Sequence, residues 1–144
     1  MCGIFNLVKN DDGKYFEKSR FDRNSMHRPV ALLSIAKRLK PLIEDMVGTE
    51  LDYDIAMVSC YKEGGKCPPH HDAKSSEFGF ALCIKKNVSW PFFVDGVAFD
   101  IQERQAILFN GYNSLHYREG LLEKDQYMGI AFLHFKRKNE ETNW

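Results

Sequence analysis

The first long hydrophobic pattern in the chain has the spacing of a helix. Between residues 29 and 47, apolar side chains recur every three or four positions and would form one stripe on a helix: Leu32, Ile35, Leu39, Ile43 and Met46. Pro29 suits the first helical turn, where its missing N–H is not needed, and Gly48 stands where a C-terminal cap is expected. Pro41 is expected to kink this helix or to divide it in two. The pattern predicts a helix that covers one face of a sheet.

From residue 51 onward the pattern changes to that of short β-strands. Apolar runs predict strands at 55–61, 78–84, 92–94, 97–99, 106–109, 115–117 and 127–135, and a further short strand is expected near 4–8. Asp95-Gly96 lies between two apolar segments and predicts a hairpin. Both faces of the 78–84 strand are apolar, which indicates burial between a barrel interior and the covering helix. We therefore expect a mainly β sandwich or barrel with one or two helices packed on the outside.

Length and charge narrow the class of protein. A chain of 144 residues fits a single domain, which we divide into N-terminal helical support at about 24–48 and a β core at about 51–136. The 20 Lys and Arg residues balance 20 Asp and Glu residues, so the basic excess typical of duplex nucleic-acid binding is absent. The sequence has no apolar run of membrane-spanning length and no recognisable secretory signal, so we expect a cytoplasmic protein with free thiols.

The candidate chemistry lies in His70, Asp72 and His116. In an extended chain, residues i and i+2 point to the same face, so His70 and Asp72 can aim at one point while His71 aims away. His116 lies on a later predicted strand, after the turn sequence at 110–114. Two imidazoles and one carboxylate on one face of a metal leave positions open, which is the facial triad of non-haem Fe(II) oxygenases. From the residues alone, two interpretations are open: a single Fe(II) site, or surface and core side chains that bind no metal.

Longer motifs resemble those of a known family. Residues 60–65 (Cys-Tyr-Lys-Glu-Gly-Gly) and 68–72 (Pro-Pro-His-His-Asp) resemble the Y-x-x-G…H-x-D motif of 2-oxoglutarate and Fe(II)-dependent oxygenases, particularly their prolyl-hydroxylase-like branch. Residues 105–111 resemble the family's G-D-A-L-L-F-x-G strand and turn, without its acidic residue. Residues 116–119 (His-Tyr-Arg-Glu) and 132–135 (Phe-Leu-His-Phe) are similar to the ending of some small members. The resemblance covers residues 54–135.

The resemblance implies both a fold and an activity. The fold would be a double-stranded β-helix, jelly-roll or cupin-like, in which two sheets enclose iron held by His70, Asp72 and His116. The activity would be that of an Fe(II)- and 2-oxoglutarate-dependent dioxygenase, a hydroxylase with 2-oxoglutarate and O₂ as cosubstrates. It would couple decarboxylation of 2-oxoglutarate to succinate with oxidation of an unidentified substrate, a small molecule or a peptide side chain.

The family's usual anchor for the cosubstrate is missing. Many members place an Arg or Lys at the start of the last strand to bind the 5-carboxylate of 2-oxoglutarate, and Gln126 stands there. Arg118 is the predicted substitute, because it shares a strand face with the second metal-binding histidine and its guanidinium can hold a carboxylate through two hydrogen bonds. Tyr61 is expected to add its hydroxyl, and Lys124 is a weaker candidate. The alternatives are a salt bridge between Arg118 and Glu119, and an ordinary half-buried strand position for Tyr61.

Other functions compete with this hypothesis. A cupin-like Fe(II) dioxygenase that does not use 2-oxoglutarate is favoured by Gln126, and a non-catalytic β-helix domain that binds a ligand also fits the fold. Cys2 follows Met1 as in class II glutamine amidotransferases, but no companion motif of that class follows it. Cys60 and Cys67 match no zinc-ligand spacing together with the following histidines. His134, inside the last predicted strand, is interpreted as a hydrogen-bonded structural histidine.

Overall fold

A computed structural model describes residues 17–19, 21 and 23–138 of the chain. These residues form ten strands and one α-helix, in the order β1 (Glu17–Ser19), β2 (Arg23–His27), α1 (Val30–Val47), β3 (Leu51–Tyr61), β4 (Cys67–His70), β5 (Phe78–Lys86), β6 (Phe92–Val94), β7 (Val97–Phe99), β8 (Ala106–Asn110), β9 (His116–Arg118) and β10 (Met128–Arg137). The strand expected at 4–8 lies outside the described residues. Residues 24–27, which the sequence assigned to the helical support, belong to β2 instead.

The strands pair antiparallel into two sheets. Within the described residues, the larger sheet has the strand order β1-β2-β3-β10-β5-β8 and the smaller has the order β4-β9-β6-β7. This is a double-stranded β-helix, so the predicted fold class is confirmed. The Asp95-Gly96 hairpin also forms: both residues have positive φ, 48° and 81°, which a two-residue type I′ turn requires.

Helix α1 covers the outer face of the larger sheet. It begins after Pro29 and ends at Gly48, whose left-handed conformation and N–H bond to the Glu44 carbonyl complete the cap. It runs without interruption through Pro41, so the expected division into two helices is wrong; packing against the sheet holds the chain helical where the proline removes one hydrogen bond. The helix side chains buried against the sheet are Leu32, Ala36 and Ile43. Ile35 and Met46 lie on one flank of this stripe and are exposed, contrary to the predicted stripe.

Two strands of the larger sheet separate two apolar cores. On β5, Phe80, Leu82 and Ile84 pack towards the helix, while Ala81 joins the core between the two sheets, so the prediction of two apolar faces is confirmed. On β10, Leu133 belongs to the helix-side core, and the residues on either side of it, Phe132 and His134, line a cavity between the sheets. Alternation along β10 therefore brings a histidine into the interior.

Strand β4 was not predicted from the sequence. It contains Pro68 and Pro69, which cannot donate a ladder hydrogen bond and therefore argue against a central strand. In the described residues β4 is an edge strand of the smaller sheet, the position that tolerates proline. It pairs with β9 so that His70 lies opposite His116. Among the described residues, no helix combines the length and the apolar character that a membrane span requires.

Candidate metal centre

The side chains of His70, Asp72 and His116, here called the triad, converge at the cavity between the sheets. One ligand atom of each lies within 4.8 Å of those of the other two. Nε2 of His70 lies 3.6 Å from Asp72 Oδ1, and Nε2 of His116 lies 3.4 Å from Asp72 Oδ2. The three residues that the sequence predicts to aim at one point therefore lie close together.

Backbone pairing places each member of the triad. His70 ends β4 and His116 begins β9, and these two residues are partners in the ladder. Asp72 follows β4, and its N–H donates to the Gly111 carbonyl at 2.8 Å. A Cβ at Gly111 would lie 3.1 Å from Asp72 Cγ and closer still to Oδ2, so the turn after β8 must carry glycine for the carboxylate to fit. This explains the Asn110-Gly111 turn that the sequence presents between β8 and β9.

Both imidazoles of the triad are held in the same tautomer. Nδ1 of His70 lies 2.7 Å from the Pro68 carbonyl, and Nδ1 of His116 lies 2.9 Å from the Ser114 carbonyl. A carbonyl oxygen only accepts, so each Nδ1 must carry the proton and donate it. In the neutral imidazole, the lone pair then lies on Nε2, which is the atom that faces Asp72 in both residues. This is the arrangement in which metal-binding histidines are oriented by outer hydrogen bonds.

The Asp72 carboxylate is ionised and has an unsatisfied acceptor. Burial raises its pKa, but the contact with His116 and the nearby His134 and His70 outweigh burial, so the pKa lies below its usual value. Its Oδ2 is buried and accepts no hydrogen bond from the described residues. A buried carboxylate oxygen without a partner is costly, and a bound cation would satisfy it. Two imidazoles and one carboxylate are also a donor set for Fe(II), so the residues present fit that metal.

The cavity beside the triad has a volume of about 490 Å³. Its apolar lining includes Phe92, Phe109 and Phe132, and its polar lining includes Arg118 and Tyr61 in addition to the triad. A volume of this size, apolar walls and a few convergent polar groups are typical of small-molecule sites.

Arg118 is a buried cation at this cavity. Its residue is 7% exposed, Nη1 donates to the Trp90 carbonyl, and the guanidinium lies 5.2 Å from the ring centroids of both Trp90 and Phe92. Burial lowers the pKa of Arg118 from its ordinary value. Within the described residues no carboxylate forms a salt bridge with it, so the alternative pairing with Glu119 does not occur. Among the described residues, this guanidinium at the cavity has no carboxylate partner, as the anchor hypothesis requires.

Tyr61 and Arg23 lie beside Arg118 in the same cavity. Tyr61 is fully buried rather than half-buried; burial raises its pKa, so the hydroxyl stays protonated. The hydroxyl accepts a hydrogen bond from Arg23 Nη1 at 2.5 Å. The Arg23 guanidinium also lies 5.3 Å from the ring centroid of Phe132. Arg23 was not predicted as a site residue, because β2 was not predicted and no motif surrounds this residue.

Three other polar residues considered from the sequence have different surroundings. Gln126 lies in the turn before β10, where its Oε1 accepts from the Glu123 N–H at 2.7 Å, and Lys124 is exposed; neither lines the cavity. His71 is exposed at the cavity rim, and its Nδ1 lies 3.1 Å from the Tyr112 carbonyl. It lies outside the triad.

His134 differs from its interpretation as a hydrogen-bonded structural residue. Its Nδ1 is buried, has no hydrogen-bond partner among the described residues and lies 3.8 Å from Asp72 Oδ2. Burial lowers its pKa, more than the nearby Asp72 raises it, so the imidazole is neutral near pH 7. The sequence signal that was available is the alternation along β10, which places residues 132 and 134 on the inner face.

Comparison with solved structures supports the fold. An oxidoreductase of the 2OG-Fe(II) oxygenase family from Burkholderia pseudomallei is 15% identical, with a TM-score of 0.71 over 88% of this chain and 74% of that protein. The chain shares this family's fold. The viral collagen prolyl hydroxylase of Paramecium bursaria Chlorella virus-1 gives a TM-score of 0.65 at 11% identity, over 93% of this chain and 95% of the viral protein. A Pseudomonas putida prolyl-4-hydroxylase gives 0.60 at 12% identity, over 91% and 78%.

No family model and no curated protein matches the chain in sequence. The likeness therefore rests on backbone geometry, and it confirms the double-stranded β-helix that the motifs imply. The chemistry has to be argued from this chain's own residues.

Proposed function

We propose that this protein is an Fe(II)- and 2-oxoglutarate-dependent oxygenase, most simply a hydroxylase. The observation that carries the proposal is the triad beside a cavity that also holds Arg118, a buried guanidinium with no carboxylate partner among the described residues. The triad supplies three donors and leaves positions open on an octahedral ion for a cosubstrate and O₂. Bound iron and cosubstrate would supply the oxidation chemistry, and the chain supplies position, charge and exclusion of water.

The two ends of the cavity have different roles: one would hold the metal, and the other, at Arg118, would bind the far carboxylate of the cosubstrate. At the metal end, the Pro68 and Ser114 carbonyls fix the two imidazoles. Arg118 lies two residues beyond His116 on β9, which separates their Cα atoms by about 7 Å along an extended strand. A five-carbon dicarboxylate can reach from the metal to the guanidinium over such a distance. A cosubstrate carboxylate would supply the anion that this buried cation lacks among the described residues.

Tyr61 and Arg23 support the same end. The Tyr61 hydroxyl already accepts from Arg23, so its own proton is available for a carboxylate bound near Arg118. Stacking of Arg118 on Trp90 and Phe92 holds its fork in one orientation and lowers the entropy lost on binding. Arg23 gives the site a second guanidinium, supplied by β2 rather than by the last strand.

For the substrate we propose only a class, which is a small molecule or a peptide side chain. The exposed rim of the cavity includes His71 and Ala73, so the metal end is open to a group that enters from solvent. The likeness to two prolyl hydroxylases supports a peptide side chain as the first class to test.

Anaerobic addition of 2-oxoglutarate to the Fe(II) protein tests the proposal. We expect a weak visible charge-transfer band that saturates at one equivalent, because the keto acid must chelate the iron. Glutarate, which lacks the keto group, is the matched control and should give no band. Iron binding without this band for 2-oxoglutarate would contradict the proposal and favour a cupin-like Fe(II) dioxygenase. Absence of iron binding would contradict both and leave the non-catalytic ligand-binding domain.

A further inference from the structure

Among the described residues, no hydrogen bond to the His134 imidazole explains its place in the interior. Its neighbours across the sheet are Ile55 on β3 and Gly79 on β5, and neither has a polar side chain. The nearby Asp54 carboxylate is already bonded by the hydroxyls of Ser75 and Ser76. In the described residues, Nδ1 of His134 has no hydrogen-bond partner although it is buried. A buried polar atom of this kind requires an explanation.

The atom that faces it is equally unsatisfied. Asp72 Oδ2 is buried, accepts no hydrogen bond in the described residues and lies 3.8 Å from His134 Nδ1. A donor and an acceptor thus stand opposite each other, too far apart for a hydrogen bond by roughly 0.6–1 Å. A small rotation of either side chain would close this gap and satisfy both atoms. His134 lies outside the group of mutually close ligand atoms, so the geometry favours a contact with the carboxylate over direct coordination.

We propose that His134 is the positioning residue of the metal centre: its Nδ1–H donates to the Asp72 carboxylate oxygen that is left over when the other oxygen binds the metal. The inference rests on the proposed metal site and adds a residue to it. The Asp72 side chain would then be held by a residue of β10, in the larger sheet. The two histidines of the triad are held by backbone carbonyls, that of Pro68 within β4 and that of Ser114 just before β9. Such a bond keeps the carboxylate rotamer ready for the metal and removes a competing water from its second oxygen.

Substitutions of His134 distinguish a hydrogen-bond donor to Asp72 from a fourth metal ligand and from a residue that does not act on Asp72. An asparagine side chain places its amide nitrogen close to the Nδ1 position of histidine, whereas a glutamine places it close to Nε2. We therefore expect His134→Asn to keep the donor to Asp72, and His134→Gln and His134→Phe to lose it. His27 lines the same cavity, and no ion pair between it and Asp72 occurs among the described residues, so His27→Phe is the matched control.

The experiment measures the dissociation constant of the whole protein for Co(II) alone, together with the thermal stability of the metal-free protein. We expect His134→Phe and His134→Gln to weaken Co(II) binding by about 10- to 100-fold, the usual effect of removing an outer partner of a ligand, with His134→Asn near the wild-type value. Metal-free His134→Phe should be no less stable than the wild type, because no hydrogen bond is lost there.

Several results would overturn the inference. Wild-type Co(II) affinity in His134→Phe would mean that His134 does not act on Asp72. If His134→Phe lost as much Co(II) affinity as His116→Ala, and His134→Asn did not restore it, His134 would be a fourth ligand instead. Wild-type Co(II) affinity in His134→Gln but not in His134→Asn would place the active donor at Nε2 and contradict the proposed bond. If the wild-type protein itself fails to bind Co(II) or Fe(II), the proposed function fails and the inference fails with it, whereas the other results reject the inference alone.

Discussion

A methyl group added at Gly111 should weaken metal binding far more than it lowers the stability of the fold. The φ angle of Gly111 is not positive, so alanine meets no backbone strain there. The added Cβ would, however, lie 3.1 Å from Cγ and 3.2 Å from Cβ of Asp72, and closer to Oδ2. Both backbones are fixed, because the Asp72 N–H donates to the Gly111 carbonyl and the Gly111 N–H donates to the Glu77 carbonyl. The Asp72 side chain must therefore move away from the triad.

The size of the effect follows from this geometry. Overpacking of this kind costs about 1–3 kcal/mol of folding free energy, and for a chain of this length that lowers the melting temperature by roughly 2–12 °C. The free energy of Fe(II) binding changes more than that of folding, because a carboxylate displaced by about 1 Å can no longer bind the same ion as the two imidazoles. We expect at least a ~100-fold loss of Fe(II) affinity. Anaerobic Fe(II) titration and thermal denaturation of Gly111→Ala measure the two quantities.

Gly64→Ala is the matched control. Gly64 has a φ of 81° and no atom within 4 Å of an added Cβ, so alanine there costs about 1–2 kcal/mol of strain without touching Asp72. This variant should lose comparable stability and keep its Fe(II) affinity. Wild-type Fe(II) affinity in Gly111→Ala, or an equal loss of Fe(II) affinity in Gly64→Ala, would contradict this prediction.

The remaining predictions concern the cosubstrate. Arg118→Ala should raise the 2-oxoglutarate KM by one to two orders of magnitude, about the 1.5–3 kcal/mol of a charged hydrogen bond, while Fe(II) affinity changes little; steady-state kinetics and metal titration check this. Arg118→Lys should recover part of the loss, because the charge remains but the fork is gone. Tyr61→Phe should raise KM by less than tenfold, since one neutral donor is lost, and exposed Lys124→Ala should not change it. Loss of cosubstrate binding in Arg23→Leu but not in Arg118→Ala would identify Arg23 as the anchor instead.

The parts of the fold that the sequence predicted are those with long, regular patterns. The strands around 78–84 and 127–135 and the helix at 29–47 each carry enough apolar positions to fix type and face. Their ends differ by a few residues: β10 continues to Arg137, two residues beyond the predicted end at 135, and the Arg137 guanidinium pairs with Glu77. Strands β1, β2 and β4 were not predicted: β1 and β2 are short and have no apolar alternation, and β4 contains Pro68-Pro69.

The candidate site was predictable where its residues are close in sequence or part of a motif. His70 and Asp72 share a face by spacing alone, and His116 follows from the motif before it. Arg23 and His134 were not recognised, because their proximity to the site depends on which strands become neighbours: β2 beside β3, and β10 between β3 and β5. Alternation along β10 indicates the face on which His134 lies, but no local sequence signal indicates which strands become neighbours.

The metal content of triad variants tests the central claim most directly. Equilibrium dialysis against Fe(II) under anaerobic conditions should give one bound iron per chain for the wild type and for His71→Ala, whose side chain lies outside the triad. Asp72→Ala and His116→Ala should bind far less than one iron while circular dichroism shows the wild-type β spectrum, because neither side chain belongs to the apolar cores. Full iron occupancy in both Asp72→Ala and His116→Ala would contradict the account.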